Sequence, residues 1–84
     1  TGSVADQTRL ALSNLRAVLE AAGSSMEQVV KAGVFLKDLS DFNEMNKVYA
    51  EFFPENPPAR ACVEVSRLPK DVDVEIDCIG LLRE

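Results

Sequence analysis

Along the first 22 residues, Val4, Thr8, Ala11, Leu15, Val18, Leu19 and Ala22 recur at helical spacing, while Asp6, Arg9, Arg16 and Glu20 fall largely on the other side. That 3.6-residue period predicts an amphipathic helix with one covered face. Ser3 followed by Asp6 resembles a capping box with Asp in place of Glu. Gly23 accepts a left-handed backbone cheaply and so stops the helix. The period then changes to two. Residues 29–37, VVKAGVFLK, divide into Val30, Ala32, Val34 and Leu36 on one face and Val29, Lys31, Gly33, Phe35 and Lys37 on the other. Both sets are partly apolar, which predicts a strand within a sheet covered at least in part on both sides. Gly33 in mid-strand marks either a close approach by another backbone or a ligand, or a bulge.

The helical period returns with Phe42, Met45, Val48, Tyr49 and Phe52, a stripe that reads as core packing against a sheet. Ser40 or Asp41 offers an N-cap, with Glu44 three residues beyond Asp41. Pro54 and then Pro57-Pro58 end this second helix. Two alternating segments close the chain. In residues 60–66, Arg60, Cys62, Glu64 and Ser66 oppose Ala61, Val63 and Val65; in residues 72–79, Val72, Val74, Ile76 and Cys78 oppose Asp73, Glu75, Asp77 and Ile79.

Two apolar helix faces need an apolar sheet face to cover, and Val30/Val34, Val63/Val65 and Val74/Ile76 can supply one. The predicted architecture is therefore an α+β two-layer sandwich: helix, strand, helix, strand, strand, with both helices on one side of a mixed sheet. The strand–helix–strand unit from 29 to 66 should be a parallel crossover. On this reading the helix-free face carries Arg60, Cys62, Glu64, Asp73, Glu75 and Asp77 beside Phe35 and Ile79. A face of that mixed character suits a subunit interface or a wet groove.

Length and composition narrow the picture. The 84 residues are one domain, residues 1–84. A chain of this size buries only about 60–65% of its unfolded surface, so oligomerisation is the expected further source of stability. Two cysteines and no histidine oppose a disulfide framework and a zinc site, and Cys62 and Cys78 read as reduced core residues in a reducing compartment. A net charge of −5 without a basic stripe argues against nucleic acid. There is no run of 18 apolar residues, which argues against a membrane span, and no basic-then-apolar leader.

The candidate chemistry lies in Arg60. An arginine fork grips a planar carboxylate at two points. Glu75 and Asp77, placed on the same sheet face by this reading, could hold a water or shuttle a proton. The competing reading is an ordinary cross-strand ion pair worth about 0.2–1 kcal/mol. Without histidine there is no Ser-His-Asp or Cys-His arrangement, and the four glycines form no phosphate loop.

The stretches QTRLALSNLRAVLEAAG, VVKAGVFLKDLSDFNEMNKVYAEFF, PPARACVEVSRLP and VDVEIDCIG resemble the RidA (YjgF) family over essentially the whole chain. The most specific parts are Pro58-Ala59-Arg60, the alternation that runs to Leu68-Pro69, and Val74-Glu75-Ile76. The resemblance implies a homotrimer of chorismate-mutase-like fold, with three sites in clefts between subunits and a last strand running antiparallel to its neighbours. It implies hydrolysis of reactive enamines and imines of the 2-aminoacrylate type to 2-keto acids and ammonia, with no cofactor. Carried over by position, Arg60 binds the substrate carboxylate, Glu75 positions the attacking water, Cys62 lines the pocket without acting as nucleophile, and Asn46 lies near it. The expected location is cytoplasmic, although mitochondrial relatives exist. Family chains begin with further strands that supply a pocket tyrosine and a Ser-Gly pair, so the sequence reads as the C-terminal two-thirds of a member. Asp77 stands where many relatives have Glu. A non-catalytic small-acid-binding module is the alternative; ribonuclease or translation-inhibitor activity, credited to some members, is opposed by the charge.

Overall fold

The Ser3 side chain accepts a hydrogen bond from the Asp6 amide at 3.0 Å, and helix α1 runs from there over Val4–Ala21. It ends as its sequence predicts. Gly23 adopts φ +87°, its amide bonds back to the Glu20 carbonyl, and the Ser24 amide reaches Leu19 at 2.7 Å, the paired closure of a helix that stops at glycine. The computed structural model describes residues 2–82. After α1 come β1 (Val29–Leu36), α2 (Phe42–Phe52), β2 (Ala59–Glu64) and β3 (Val74–Gly80), with single 3-10 turns at Met26–Gln28, Leu39–Asp41 and Pro69–Asp71.

The α+β two-layer arrangement is as expected. The sheet has the order β2-β1-β3, with β1 parallel to β2 and antiparallel to β3. Strands β2 and β3 follow one another in sequence but form no hairpin, because β1 lies between them. Leu12 on α1, Val34 and Leu36 on β1 and Met45 on α2 are fully buried, joined by Ala32, Tyr49, Val74 and Ile76.

Polar contacts tie the helices to the rest. Arg9 on α1 pairs with Glu51 on α2 at 2.6 Å. Gln7 donates to the Asp73 carboxylate at 3.0 Å and accepts from the Asp73 amide at 2.8 Å. The capping box expected at Asp41 and Glu44 does not form. Helix α2 follows Asp41, whose side chain makes no capping bond, and Glu44 instead accepts from the Ala5 amide of α1 at 3.0 Å. It thus satisfies one of the unpaired first-turn amides of the other helix.

Three expectations about side-chain faces are corrected. The β1–β3 register slips between Val29 and Lys31. A one-residue irregularity reverses the side chains on one side of it, so Val29 is buried and Val30 is 45% exposed. On α1, Val18 is 65% exposed while Leu12, absent from the predicted stripe, is fully buried. The largest correction concerns β2. Arg60, Cys62 and Glu64 lie level with Ala32, Val34 and Leu36 of β1, and neighbours at the same level in a sheet share a face. These three therefore point toward the helices, while Ala61 and Val63 point away, with Val63 45% exposed.

The register slip has a simple test. Val29→Ala should destabilise the fold by roughly 1–3 kcal/mol, whereas Val30→Ala should stay within about 0.5 kcal/mol. Urea titration of the two variants checks it; equal losses would place both side chains in the core.

Candidate functional site

Arg60 stands at the start of β2, and the residues before it bring it there. Helix α2 ends at Phe52, Phe53 is buried, Asn56 turns with φ +49°, and Pro57-Pro58 lead in extended to the strand. Because its side chain points toward the helix layer at the sheet edge, Arg60 lies along α2. Its Nη1 donates to Asn46 Oδ1 at 2.5 Å. Its guanidinium carbon sits 4.7 Å from the Tyr49 ring centre and 5.3 Å from that of Phe42. Contacts of this kind are worth about 0.5–1 kcal/mol each at exposed positions. Tyr49 in turn meets Phe53, ring centres 4.8 Å apart. Asn46, Tyr49, Phe53, Pro57, Pro58 and Arg60 border an open cavity of about 400 Å³.

Among the described residues Arg60 has no carboxylate partner. The ion pairs among them are Arg9–Glu51 and Arg67–Asp71. The cross-strand ion pair weighed as its ordinary role is therefore not formed. An arginine carries five N–H donors, and Asn46 occupies one nitrogen.

The sequence-predicted site residues divide into two groups. Asn46 and Arg60 are in contact, and Cys62 follows on the same face of β2. Glu75 lies on the other side of the sheet, level with Phe35, as Asp77 lies level with Gly33. The expectation that Arg60, Glu75 and Asp77 share a face is thus corrected: within one chain the sheet separates them. Asp73, expected beside Glu75, is drawn to Gln7 of α1, and Glu64 accepts from the Leu39 amide at 2.8 Å. The cluster of carboxylates on the helix-free face is reduced to Glu75 and Asp77. Gly33 lies outside the register slip, and what comes close to it is a side chain, that of Asp77, rather than another backbone or a ligand. A Cβ there would fall 2.6 Å from Asp77 Oδ1.

Two residues around Arg60 were missed as site residues. Phe42 and Tyr49 read in sequence as core stripe, and both do pack against the core. The available signal was the spacing Phe42, Asn46, Tyr49, which places an amide between two aromatics on one helix face.

The cysteines are quiet. Burial pushes the Cys62 thiol up, and the opposing pull of the Arg60 charge is the smaller effect. Cys78 is raised first by burial and then by Asp77. The thiolate is the reactive form, so iodoacetamide should label both cysteines more slowly than free cysteine at pH 8. The lag should close only as pH climbs above the ordinary thiol value of about 8.5. Mass spectrometry against time and pH reads this out, and rapid labelling of Cys62 at pH 7 would contradict it.

Residues 1–82 match the family model described as endoribonuclease L-PSP. The chain belongs to this family, the RidA/YjgF family. Family members similar to it include a RutC family protein of Pyrococcus horikoshii, 59% identical over 79 residues, covering 94% of this chain and 63% of that protein. The 2-iminobutanoate/2-iminopropanoate deaminase of Salmonella typhimurium is 49% identical over 90 residues, covering 99% of this chain and 70% of that one. Among solved structures, Escherichia coli TdcF with bound serine superposes with a TM-score of 0.92 at 45% identity, covering 100% of this chain and 68% of TdcF. The chain spans under two thirds of the length of the RutC family relatives it matches. Names in the RidA/YjgF family thus include an imine deaminase and an endoribonuclease. No helix among the described residues is long and apolar enough to cross a membrane.

Proposed function

We propose that this RidA/YjgF chain, assembled with further copies of itself, hydrolyses small 2-imino acids and their enamine tautomers to 2-keto acids and ammonia. The observation that carries the reading is Arg60: a guanidinium with no carboxylate partner among the described residues, held beside a cavity of about 400 Å³. A planar carboxylate is the ligand that fits the remaining fork. Cys62 lines the site as a neutral thiol, and Asn46 steadies the arginine. The name of the Salmonella relative and the serine bound to TdcF, itself an amino acid with a carboxylate, point the same way.

In the proposed step, an enamine first takes a proton at carbon and gives one up from nitrogen, becoming the imine. Water then adds its oxygen to the imine carbon while the imine nitrogen gains a proton. The hydroxyl proton passes to nitrogen as the carbon–nitrogen bond breaks, ammonia leaves, and the keto acid's carbonyl remains. Glu75 holds the water by accepting its hydrogen bond. Since Arg60 and Glu75 of one chain lie on opposite faces of the sheet, a shared site takes them from two copies, in keeping with a homotrimer whose sites lie between subunits. An unassembled copy offers the grip without the water-holding carboxylate and would bind small acids without turnover. Nucleic acid cleavage is disfavoured by the net charge of −5.

The test is keto-acid release from freshly generated 2-aminoacrylate. Acceleration over the spontaneous rate is expected from the assembled protein. No acceleration by a folded oligomer would overturn the proposal.

A further inference from the structure

We infer that Phe42 and Tyr49 are positioning residues for Arg60: their ring faces hold the guanidinium plane, Asn46 sets its rotation, and the remaining N–H fork is presented to a carboxylate at the cavity lined by Phe53, Pro57 and Pro58. This deepens the proposed function and rests on its reading of Arg60 as the carboxylate grip.

The geometry separates this role from simple core packing. Arg60 is an exposed residue at a sheet edge, where a long side chain ordinarily samples many rotamers. One hydrogen bond to Asn46 leaves the guanidinium free to swing about that contact. Ring centres at 4.7 Å on Tyr49 and 5.3 Å on Phe42 remove that freedom. Fixing a group in its binding orientation before the ligand arrives improves affinity by cutting the ordering cost on binding.

Tyr49 acts through its ring and not its hydroxyl. The hydroxyl oxygen is buried and has no hydrogen-bond partner among the described residues, so it can neither touch a ligand in the cavity nor steer Arg60. A phenylalanine at this position would keep the platform and remove an unpaired polar group. The flat guanidinium suits this seat, whereas a lysine ammonium, a point charge, would not stack.

The chain has one tyrosine and no tryptophan, which gives the inference a direct optical readout. In the assembled protein, 2-ketobutyrate titrated by calorimetry and by near-ultraviolet difference spectroscopy should bind and perturb the Tyr49 band. That spectral change should vanish in Y49F and in R60A. Y49F should keep wild-type affinity within about twofold, since only the hydroxyl is lost, while F42L and Y49L should each weaken binding about tenfold through lost orientation. In turnover the loss should fall on KM, with kcat moved by less than about threefold. Because Tyr49 is buried, Y49L is judged only if its circular dichroism matches wild type; F42L, at the partly exposed edge, and Y49F decide otherwise. F42L binding like wild type, or Y49F losing as much affinity as F42L, would overturn the inference while a loss in R60A leaves the arginine reading standing. R60A binding 2-ketobutyrate like wild type would overturn both.

Discussion

Arg60→Ala and Glu75→Gln chains, each inactive alone, should recover activity when they are mixed, unfolded and reassembled together. Each change removes one half of the proposed chemistry. Without Arg60 the substrate carboxylate loses its two-point, charge-assisted grip, and kcat/KM should fall at least about 10²-fold, or near 2.7 kcal/mol. Without the Glu75 carboxylate the water is no longer held, and the loss should fall mainly on kcat. In one chain these residues lie on opposite faces of the sheet: Arg60 is level with Ala32 on the helix side, and Glu75 is level with Phe35 on the helix-free side. If an active site takes Arg60 from one copy and Glu75 from another, a mixed assembly contains some sites with both native residues. Random assortment of equal amounts would make about a quarter of the sites native in a symmetric ring. Recovery toward a quarter of wild-type activity is therefore expected. Activity that stays at the level of the two parents, in mixed oligomers verified by mass, would mean that the two residues do not serve a common site between copies.

That separation across the sheet was not legible in the sequence, and the reason is physical. Alternation sorts a strand into two sets of side chains but does not say which set looks inward. Ala61, Val63 and Val65 are the more apolar set of residues 60–66, and hydrophobicity alone sends them to the helices. The helices instead receive Arg60, Cys62 and Glu64, because aromatic faces and backbone amides on and before α2 accommodate their polar ends: Phe42 and Tyr49 for Arg60, the Leu39 amide for Glu64. The helix-free face keeps Val63 and Ile79, 45% and 59% exposed, beside Phe35. An apolar set that faces solvent in one chain is what a partner surface looks like before the partner is present. Val30 failed for a different reason, since a register slip at Val29/Lys31 is set by pairing with β3 and leaves no local mark. What the sequence did carry were signals complete within a few residues: the Ser3 cap, the Gly23 stop, the prolines after α2, and Arg60 as the residue to watch. Asn46 beside Arg60 came only from family resemblance, and the structure places the two in contact.

Leu36→Ala should be among the most damaging single changes to stability. Leu36 ends β1, the central strand, level with Glu64 of β2 and Val74 of β3, and is fully buried. Its neighbours are held by the sheet on one side and the helix layer on the other, so they have little room to close around a void. Removing a leucine side chain from such a site costs about 2–5 kcal/mol. A domain of this size holds only about 5–15 kcal/mol in total, and each kcal/mol moves the melting temperature by about 4–8 °C. A fall of at least about 10 °C is expected by circular dichroism, and a domain near the lower bound would not fold at 37 °C. Val63→Ala is the informative comparison. It removes a similar kind of apolar group from β2, but on the face that looks away from the helices. In dilute solution its melting temperature should match wild type, and a deficit should appear only where protein concentration drives assembly, because a partner's contribution to stability follows mass action. The Leu36 deficit should be the same at every concentration. If both variants lose stability alike in dilute protein, Val63 belongs to the core of a single copy, and the assignment of β2's faces is reversed.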